Sequence, residues 1–357
     1  MTSAPAVRTV CVTGAAGFIG SHIVRLLLER GFRVRGTVHA RARVKDWGHL
    51  RDLPGAAERL LVFEASLGLP GSFDEAVAGS ECVIHTASPY VIDAPDPQLD
   101  LVEPAVNGTR NVLEACAAAP SVRRVVLTSS MAAITDEPDP VRPLSEEDWN
   151  TRSTLTRNPY YLSKTLAERA AWEFLERRWP AFDLVAILPF FVIGPSLGAR
   201  LNTTNKILVD LLEGVYPAIM RLWWGLVDVR DVALAHVLAL EKTVPRGRYM
   251  CAASPPVSMR EVVNQMRRAG YDGGYRLPRA SLESPLGDWV VRLGALLRPP
   301  GEASYLQTHV GRELLYDTGR IRARMGIRFR PVEETIVETL HDLEHRGHVA
   351  RRPATRS

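Results

Sequence analysis

Short apolar runs alternate with amphipathic stretches through the first half of this chain. The runs fall at residues 9–13, 33–38, 60–63, 82–86, 124–128 and 184–188. Between them, apolar residues recur at helical spacing over 18–30, 72–78, 99–118 and 160–178. Strands that are apolar throughout, rather than on alternate residues, are buried on both faces. Alternating with helices, they predict a parallel sheet covered on both sides, with right-handed crossovers. The expected fold class is therefore α/β, a Rossmann-type doubly wound sheet, with ligands gathering at the C-terminal ends of its strands.

After Pro189 the pattern loosens. Residues 190–225 read as a long loop with a short helix near 206–213 and a Trp pair, Trp223 and Trp224. A helix over 227–242 and a strand over 248–252 follow. Ser258, with Glu261 three residues on, has the pattern of a capping box that opens another helix. A Pro-rich break at 298–301 precedes a last helix at 332–345. The expected division is a nucleotide-binding domain, 8–189 with 226–252, and a smaller, interrupted substrate domain, 190–225 with 253–345. The basic residues 346–357 are expected to fray.

Composition narrows the classes. Of 357 residues, 46% are hydrophobic and 24% charged, enough for a sizeable core and unlike a disordered chain. The net charge of +4 comes from arginines spread along the chain without interleaved aromatics, so no nucleic-acid partner is expected. The longest apolar run, 184–199, is broken by Pro189, Gly194, Pro195 and Gly198, and the N-terminus has no signal-peptide pattern; no membrane partner is expected. Cys11, Cys82, Cys116 and Cys251 lack metal-ligand spacing. They read as reduced core thiols of a cytoplasmic protein with no metal site.

The first chemical signal is VCVTGAAGFIGS at 10–21: an apolar run, then Gly14, Gly17 and Gly20, then an amphipathic helix. A strand turning tightly into a helix aims backbone N–H groups and the positive helix end at one point, which suits a pyrophosphate. Gly14 would permit the turn, Gly17 the approach of phosphate, and Gly20 the packing of helix on strand. About 20 residues on, an acid would hold a ribose 2′-hydroxyl and select NAD. Here His39, Arg41, Arg43 and Lys45 occupy that region and the first acid is Asp46, so NADP is favoured, with NAD the alternative. The second signal is a strand ending in hydroxyls, Thr128-Ser129-Ser130, followed by Tyr160 and Lys164, four apart on one helix face. A lysine ammonium beside a phenol lowers its pKa from about 10, so the tyrosine can pass a proton to or from a carbonyl oxygen that Ser130 holds.

Together these motifs resemble the extended short-chain dehydrogenase/reductase family. They are TGAAGFIGS, IHTASP at 84–89, PAVNGTRNVLEA at 104–115, LTSS at 127–130, YYLSK at 160–164 and VDVRDVALAH at 227–236. LSEEDWN, KTLAERAAWEF and ILPFFVIGPSL resemble its branch of dihydroflavonol 4-reductases, cinnamoyl-CoA reductases and aldehyde/ketone reductases. The resemblance implies Ser130, Tyr160 and Lys164 as the catalytic triad. It places Gly14, Gly17, Phe18 and Ile19 at the pyrophosphate, and Thr86, Ala87 and Ser88 beneath the cofactor. Thr128 belongs with the cofactor residues, Pro189 and Val192 flank the nicotinamide, and Lys45 is the downstream 2′-phosphate lysine. Asn107 matches the family's active-site asparagine, or is a helix residue bonding the backbone. Two departures stand out: His39 replaces the usual arginine, and Ala65-Ser66-Leu67 replaces an A-D-L tripeptide at the adenine.

For the substrate pocket, Tyr90, Met131, Thr135, Phe190, Phe191, Trp223 and Trp224 are the candidates, an apolar and aromatic set fitted to a hydrophobic carbonyl compound. The expected activity is NADPH-dependent reduction of an aldehyde or ketone. Alternatives are a sugar-nucleotide epimerase or dehydratase reaction, or a 3β-hydroxysteroid dehydrogenase reaction, on the same scaffold, and a non-catalytic NADP-sensing protein. The resemblance leaves monomer and homodimer both open.

Overall fold

The structure is a computed structural model describing residues 8–39, 44–89, 94–241 and 244–351. Seven strands form its central sheet: β1 (Thr9–Thr13), β2 (Arg33–His39), β3 (Leu60–Ala65), β4 (Cys82–His85), β5 (Arg124–Thr128), β6 (Asp183–Pro189) and β7 (Gly247–Cys251). Their order is β7-β6-β5-β4-β1-β2-β3 and every pairing is parallel. Val10 of β1 pairs with Val34 on one side and Cys82 on the other, so strand order reverses around β1. That reversal opens the crevice in which doubly wound sheets bind their ligands. The predicted fold is present, and for the predicted reason: β4 is buried at every position.

Four helices flank the sheet: α1 (Phe18–Glu29), α2 (Glu103–Ala118), α3 (Pro159–Arg178) and α4 (Val229–Glu241). Ile23 and Leu27 of α1 share one core with Val229 and Val237 of α4. On the opposite face, Val112 and Cys116 of α2 pack with Ala171 and Phe174 of α3. The four cysteines are buried free thiols, and burial pushes the Cys11 thiol up to about 12.

A second apolar core is gathered from residues on both sides of β7, among them Leu208, Leu212, Trp224, Met259, Val263, Ile336 and Leu340. The Ser258 capping box is present, and the last helix runs Val332–His345. Three expectations change. The helix expected from 227 starts at Val229, because Leu226–Asp228 pairs as a strand with Phe191–Ile193 and Asp228 accepts the Arg230 N–H at 2.7 Å. The Pro-rich break is a helix start: Pro300 opens Pro300–His309, where its missing N–H costs nothing. Residues past 345 are tied down at first: Arg346 donates to the carbonyls of Ser196 and Gly198, and Val349 is buried. Asp342 accepts the Ser196 N–H at 2.8 Å, and the preceding carbonyl, Pro195 O, lies 2.9 Å from His22 Nε2 of α1.

Candidate active site

Gly14, between β1 and α1, has φ +66°. A β-carbon there would stand 3.0 Å from the Ala87 backbone and 3.2 Å from Thr86 Oγ1. At Gly17 it would stand 3.1 Å from the Gly14 carbonyl oxygen, and at Gly20 it would collide with that oxygen. Gly17 caps α1 without a side chain, and the first turn holds no acid, so nothing local neutralises the positive helix end. Phe18 and Ile19 pack on the core beside this opening. From β2, Thr37 holds the turn: its hydroxyl accepts the Gly14 N–H at 3.3 Å and its carbonyl accepts the Ala15 N–H at 2.9 Å. Gly20→Ala is expected to cost about 1–3 kcal/mol through overpacking and to weaken dinucleotide binding, read by thermal unfolding and by NADPH titration.

His39 closes β2 and Lys45 lies in the short helix Val44–Trp47; both are exposed. Arg41 and Arg43 lie outside the described residues, as does Tyr90. At the end of β3, the Ser66 N–H donates to Ser72 Oγ at 3.1 Å, and that hydroxyl donates to Ser66 O at 2.8 Å. Leu67 lies over Gly108, where a β-carbon would come within 2.7 Å of it, and Leu67 O accepts from Asn111 Nδ2 at 2.7 Å. Gly108 and Asn111 thus seat this loop on α2, a role the sequence reading missed.

Asn107 does not join the other catalytic candidates. The buried face of α2 carries Ala105, Gly108, Thr109 and Val112, and Asn107 projects from the opposite side. It is exposed, in a shallow groove with Arg110 and with Leu166, Arg169 and Glu173 of α3.

At the ends of β1 and β4 a polar chain runs toward the lysine. Thr86 Oγ1 donates to Thr13 O at 2.7 Å, and the Ala87 N–H donates to Thr13 Oγ1 at 3.2 Å. Thr13 Oγ1 lies 2.8 Å from Nδ1 of His85, which burial, with a smaller push from Lys164, keeps neutral with a pKa near 3. Lys164 Nζ donates to Ser88 Oγ at 3.0 Å. The lysine is buried, which lowers its pKa to about 8. Its ammonium is 5.9 Å from the centre of the Tyr160 ring, one helical turn back.

The two serines after β5 are not equivalent. Ser129 is buried and donates to Glu168 Oε2 at 2.6 Å. Glu168 also accepts from Arg248 at 2.7 Å and from Trp172 at 3.1 Å. Arg248 stacks 3.9 Å over Trp149 and donates to the carbonyls of Ala133, Glu146 and Asp148. Ser129 is therefore part of a buried brace between the serine loop and α3. Ser130 is half-buried, and its Oγ accepts only the Ala132 N–H, at 3.2 Å, among the described residues. Its proton remains available to a ligand.

Tyr160 enters α3 through a polar junction. Asn158, at φ +47°, occupies the left-handed region that asparagine tolerates better than most residues. Its N–H donates to Ser304 Oγ at 2.9 Å, and its Nδ2 donates to Thr308 Oγ1 at 3.1 Å and to Asp136 O at 3.4 Å. Thr128, expected among the cofactor residues, instead turns its hydroxyl to His236 Nε2 at 2.8 Å, while His236 Nδ1 bonds Val232 O.

The substrate candidates divide. Met131 and Phe190 are buried in one cluster with Trp223 and Tyr161 against it, and Phe190 lies 4.7 Å from the Tyr316 ring. Thr135 donates to Glu137 O and accepts the Glu137 N–H, so its hydroxyl is occupied within its own turn. Pro189 ends β6, and Val192 is buried in the strand beyond it. Phe191 meets Trp224 at 6.4 Å and Tyr305 at 6.2 Å, with Trp224 Nε1 donating to Tyr305 OH. Tyr305 stacks on His309 at 4.1 Å, and His309 meets Tyr161, the neighbour of Tyr160, at 5.8 Å. Tyr161, Tyr305 and His309 were missed: two lie in a helix concealed behind the prolines, the third beside a catalytic candidate.

The model of the NAD dependent epimerase/dehydratase family matches residues 10–252. Cinnamoyl-CoA reductase CAD2 of Medicago truncatula is 37% identical over 352 residues, 97% of this chain and 98% of its own. Tetraketide alpha-pyrone reductase 1 of Arabidopsis thaliana is 35% identical over 96% of this chain and 97% of its own. Among solved structures, yeast methylglyoxal/isovaleraldehyde reductase Gre2 complexed with NADPH is 29% identical, with a TM-score of 0.77 over 96% of this chain and 100% of that one. The chain belongs to the NAD dependent epimerase/dehydratase family, in its extended short-chain dehydrogenase/reductase branch, and is an NAD(P)-dependent oxidoreductase.

Proposed function

We propose that the protein reduces a hydrophobic aldehyde or ketone to its alcohol, with NADPH as reductant and Ser130, Tyr160 and Lys164 as the acting residues. The observation carrying this reading is the difference between the two serines: Ser129 is locked to Glu168, while Ser130 keeps a free proton on the same loop. Ser130 orients the substrate carbonyl oxygen. Tyr160 gives its phenolic proton to that oxygen as the alkoxide develops, and the Lys164 ammonium stabilises the phenolate left behind. NADPH, when bound, supplies the hydride. The cradle at Gly14, Gly17 and Gly20, which β-carbons would obstruct, suits its pyrophosphate, and His39 and Lys45 suit its 2′-phosphate. The solved relative complexed with NADPH and the reductase names of the relatives support the same reading.

The test is loss of NADPH absorbance over a panel of aromatic and aliphatic aldehydes, ketones and dihydroflavonols, with NADH as control. Ser130→Ala is expected to lower kcat by about 10²–10³-fold, with a loss of stability confined to its one cap bond from the Ala132 N–H. Ser129→Ala is expected to lower the melting temperature while keeping kcat within a few fold. The reverse pattern would assign the carbonyl to the wrong serine.

A pH profile follows from Lys164. Its pKa near 8 means the ammonium loses its proton as pH rises past that value, so kcat should fall there. Stability should move oppositely: the unfolded lysine titrates near 10.5, so the cost of burying the charge is full below pH 8 and is relieved between about 8 and 10.5. Kinetics and thermal unfolding across that range separate the two trends.

A further inference from the structure

Tyr160 is the second residue of α3, and no local cap fixes it there. The helix has no side-chain cap and no acid in its first turn, and its first residue, Pro159, brings no N–H. Helix ends without caps fray. Asn158 O accepts the N–H groups of Tyr161 at 2.8 Å and Leu162 at 3.2 Å, so the turn that carries Tyr160 hangs on Asn158. Asn158 is in turn held from outside the helix. Its N–H and its Nδ2 both donate to the helix Pro300–His309, to Ser304 Oγ at 2.9 Å and Thr308 Oγ1 at 3.1 Å, across 146 and 150 residues of sequence.

Ser304 and Thr308 are four apart and share one face of their helix. Thr308 donates its own proton to Ser304 O at 2.9 Å, so its oxygen meets Asn158 as an acceptor. That helix is itself anchored, with Leu306 and the following Val310 buried in the second core. Asn158 Nδ2 also reaches Asp136 O at 3.4 Å, and Arg157 pairs with Asp136 Oδ2 at 2.8 Å. Asp136 closes the loop that begins at Ser130, so the serine loop, the tyrosine turn and the C-terminal helix meet at one asparagine. His309 against Tyr161 at 5.8 Å adds packing to the same junction. We propose that Ser304 and Thr308 are positioning residues for Tyr160: through Asn158 they set the place of its hydroxyl relative to Ser130. Placement of this kind carries rate, since a displacement of about 1 Å can cost on the order of 10²-fold. The inference rests on the reading of Tyr160 as proton donor and extends it to residues that reach Tyr160 through Asn158.

The experiment measures steady-state kinetics, with the best carbonyl substrate of the panel, for Thr308→Val, Ser304→Ala and Thr308→Ser, each also in a Tyr160→Phe background, beside NADPH titration and thermal unfolding. Valine keeps the shape of threonine and removes its oxygen. Thr308→Val is expected to lower kcat about tenfold and Ser304→Ala about threefold, with KM and the NADPH dissociation constant within about twofold. Thr308→Ser, which keeps the oxygen, is expected to hold kcat within about twofold of wild type. In the Tyr160→Phe background the same substitutions should move the residual turnover less than about twofold, because the hydroxyl they place is gone. Where Thr308→Val unfolds the chain, Ser304→Ala decides, since Ser304 is only half-buried. Equal losses in both backgrounds would mean a general loosening of the site and overturn the proposal. So would an unchanged kcat in Thr308→Val and Ser304→Ala, or a Thr308→Ser variant as slow as Thr308→Val. Turnover that Tyr160→Phe leaves intact would overturn the proton-donor reading itself, and this inference with it.

Discussion

Tyr160→Phe will lose turnover by about 10²–10⁴-fold while still binding NADPH. The substitution keeps the ring that meets Tyr161 edge-on at 6.1 Å and lies beside the Lys164 ammonium, and it removes only the hydroxyl. Neither the helix start held through Asn158 nor the lysine bond to Ser88 depends on that oxygen. The loss should therefore appear in kcat, with the melting temperature and the NADPH dissociation constant nearly unmoved. Steady-state kinetics beside a fluorescence titration separate these quantities. Undiminished turnover would show that another group delivers the proton; lost cofactor affinity would show that the phenol is structural.

Acid will unfold the protein well before its carboxylates are all protonated. His22, His85, His236 and His309 are buried, and burial depresses their pKa values from 6.5 to about 4, 3, 4 and 4. Between pH 6.5 and about 4 the unfolded chain binds protons at these positions that the folded chain refuses. Stability then rises with pH and is lost as pH falls, at about 1.4 kcal/mol per pH unit for each histidine fully in its window. Four such groups approach about 5 kcal/mol per unit, against a typical total of about 5–15 kcal/mol. Asp231 and Glu146, whose carboxyls burial raises, oppose this only in part. The melting temperature should drop steeply from pH 6.5 downward, and His22→Gln should flatten the slope. A melting temperature constant down to pH 5 would contradict the neutral assignment.

The sheet was legible because β1, β4 and β6 are apolar runs buried on both faces, and its glycine turn because the spacing of three glycines between strand and helix encodes it. The capping box at Ser258 was legible because a short-range pair encodes it. The segment after Pro189 was not, because its strands at 191–193 and 226–228 exist only through pairing across more than thirty residues. Helix Pro285–Ala295 inverts the usual pattern, with Leu286, Trp289, Val290 and Leu293 toward solvent and Gly287 and Asp288 on its buried face. Asn107 and Asn111 are one turn apart, and a motif match could not tell which projects outward. Ser129 and Ser130 were ranked by resemblance; their physical difference lies in Glu168 and Arg248, far away in sequence.

The tie between α1, the Pro195–Gly198 turn and Arg346 bears on how the chain is made. His22 needs Pro195, and that turn needs Asp342 and Arg346, so residues some 150 and 320 positions apart share one seam. A ribosome delivers the first of these more than three hundred residues before the last. The nascent Pro195–Gly198 turn, which meets α1 through His22, must wait for Asp342 and Arg346, although α1 can already pack on α4. Messages truncated shortly before the codon for Asp342 should therefore yield aggregation-prone chains even though every catalytic candidate has been synthesised.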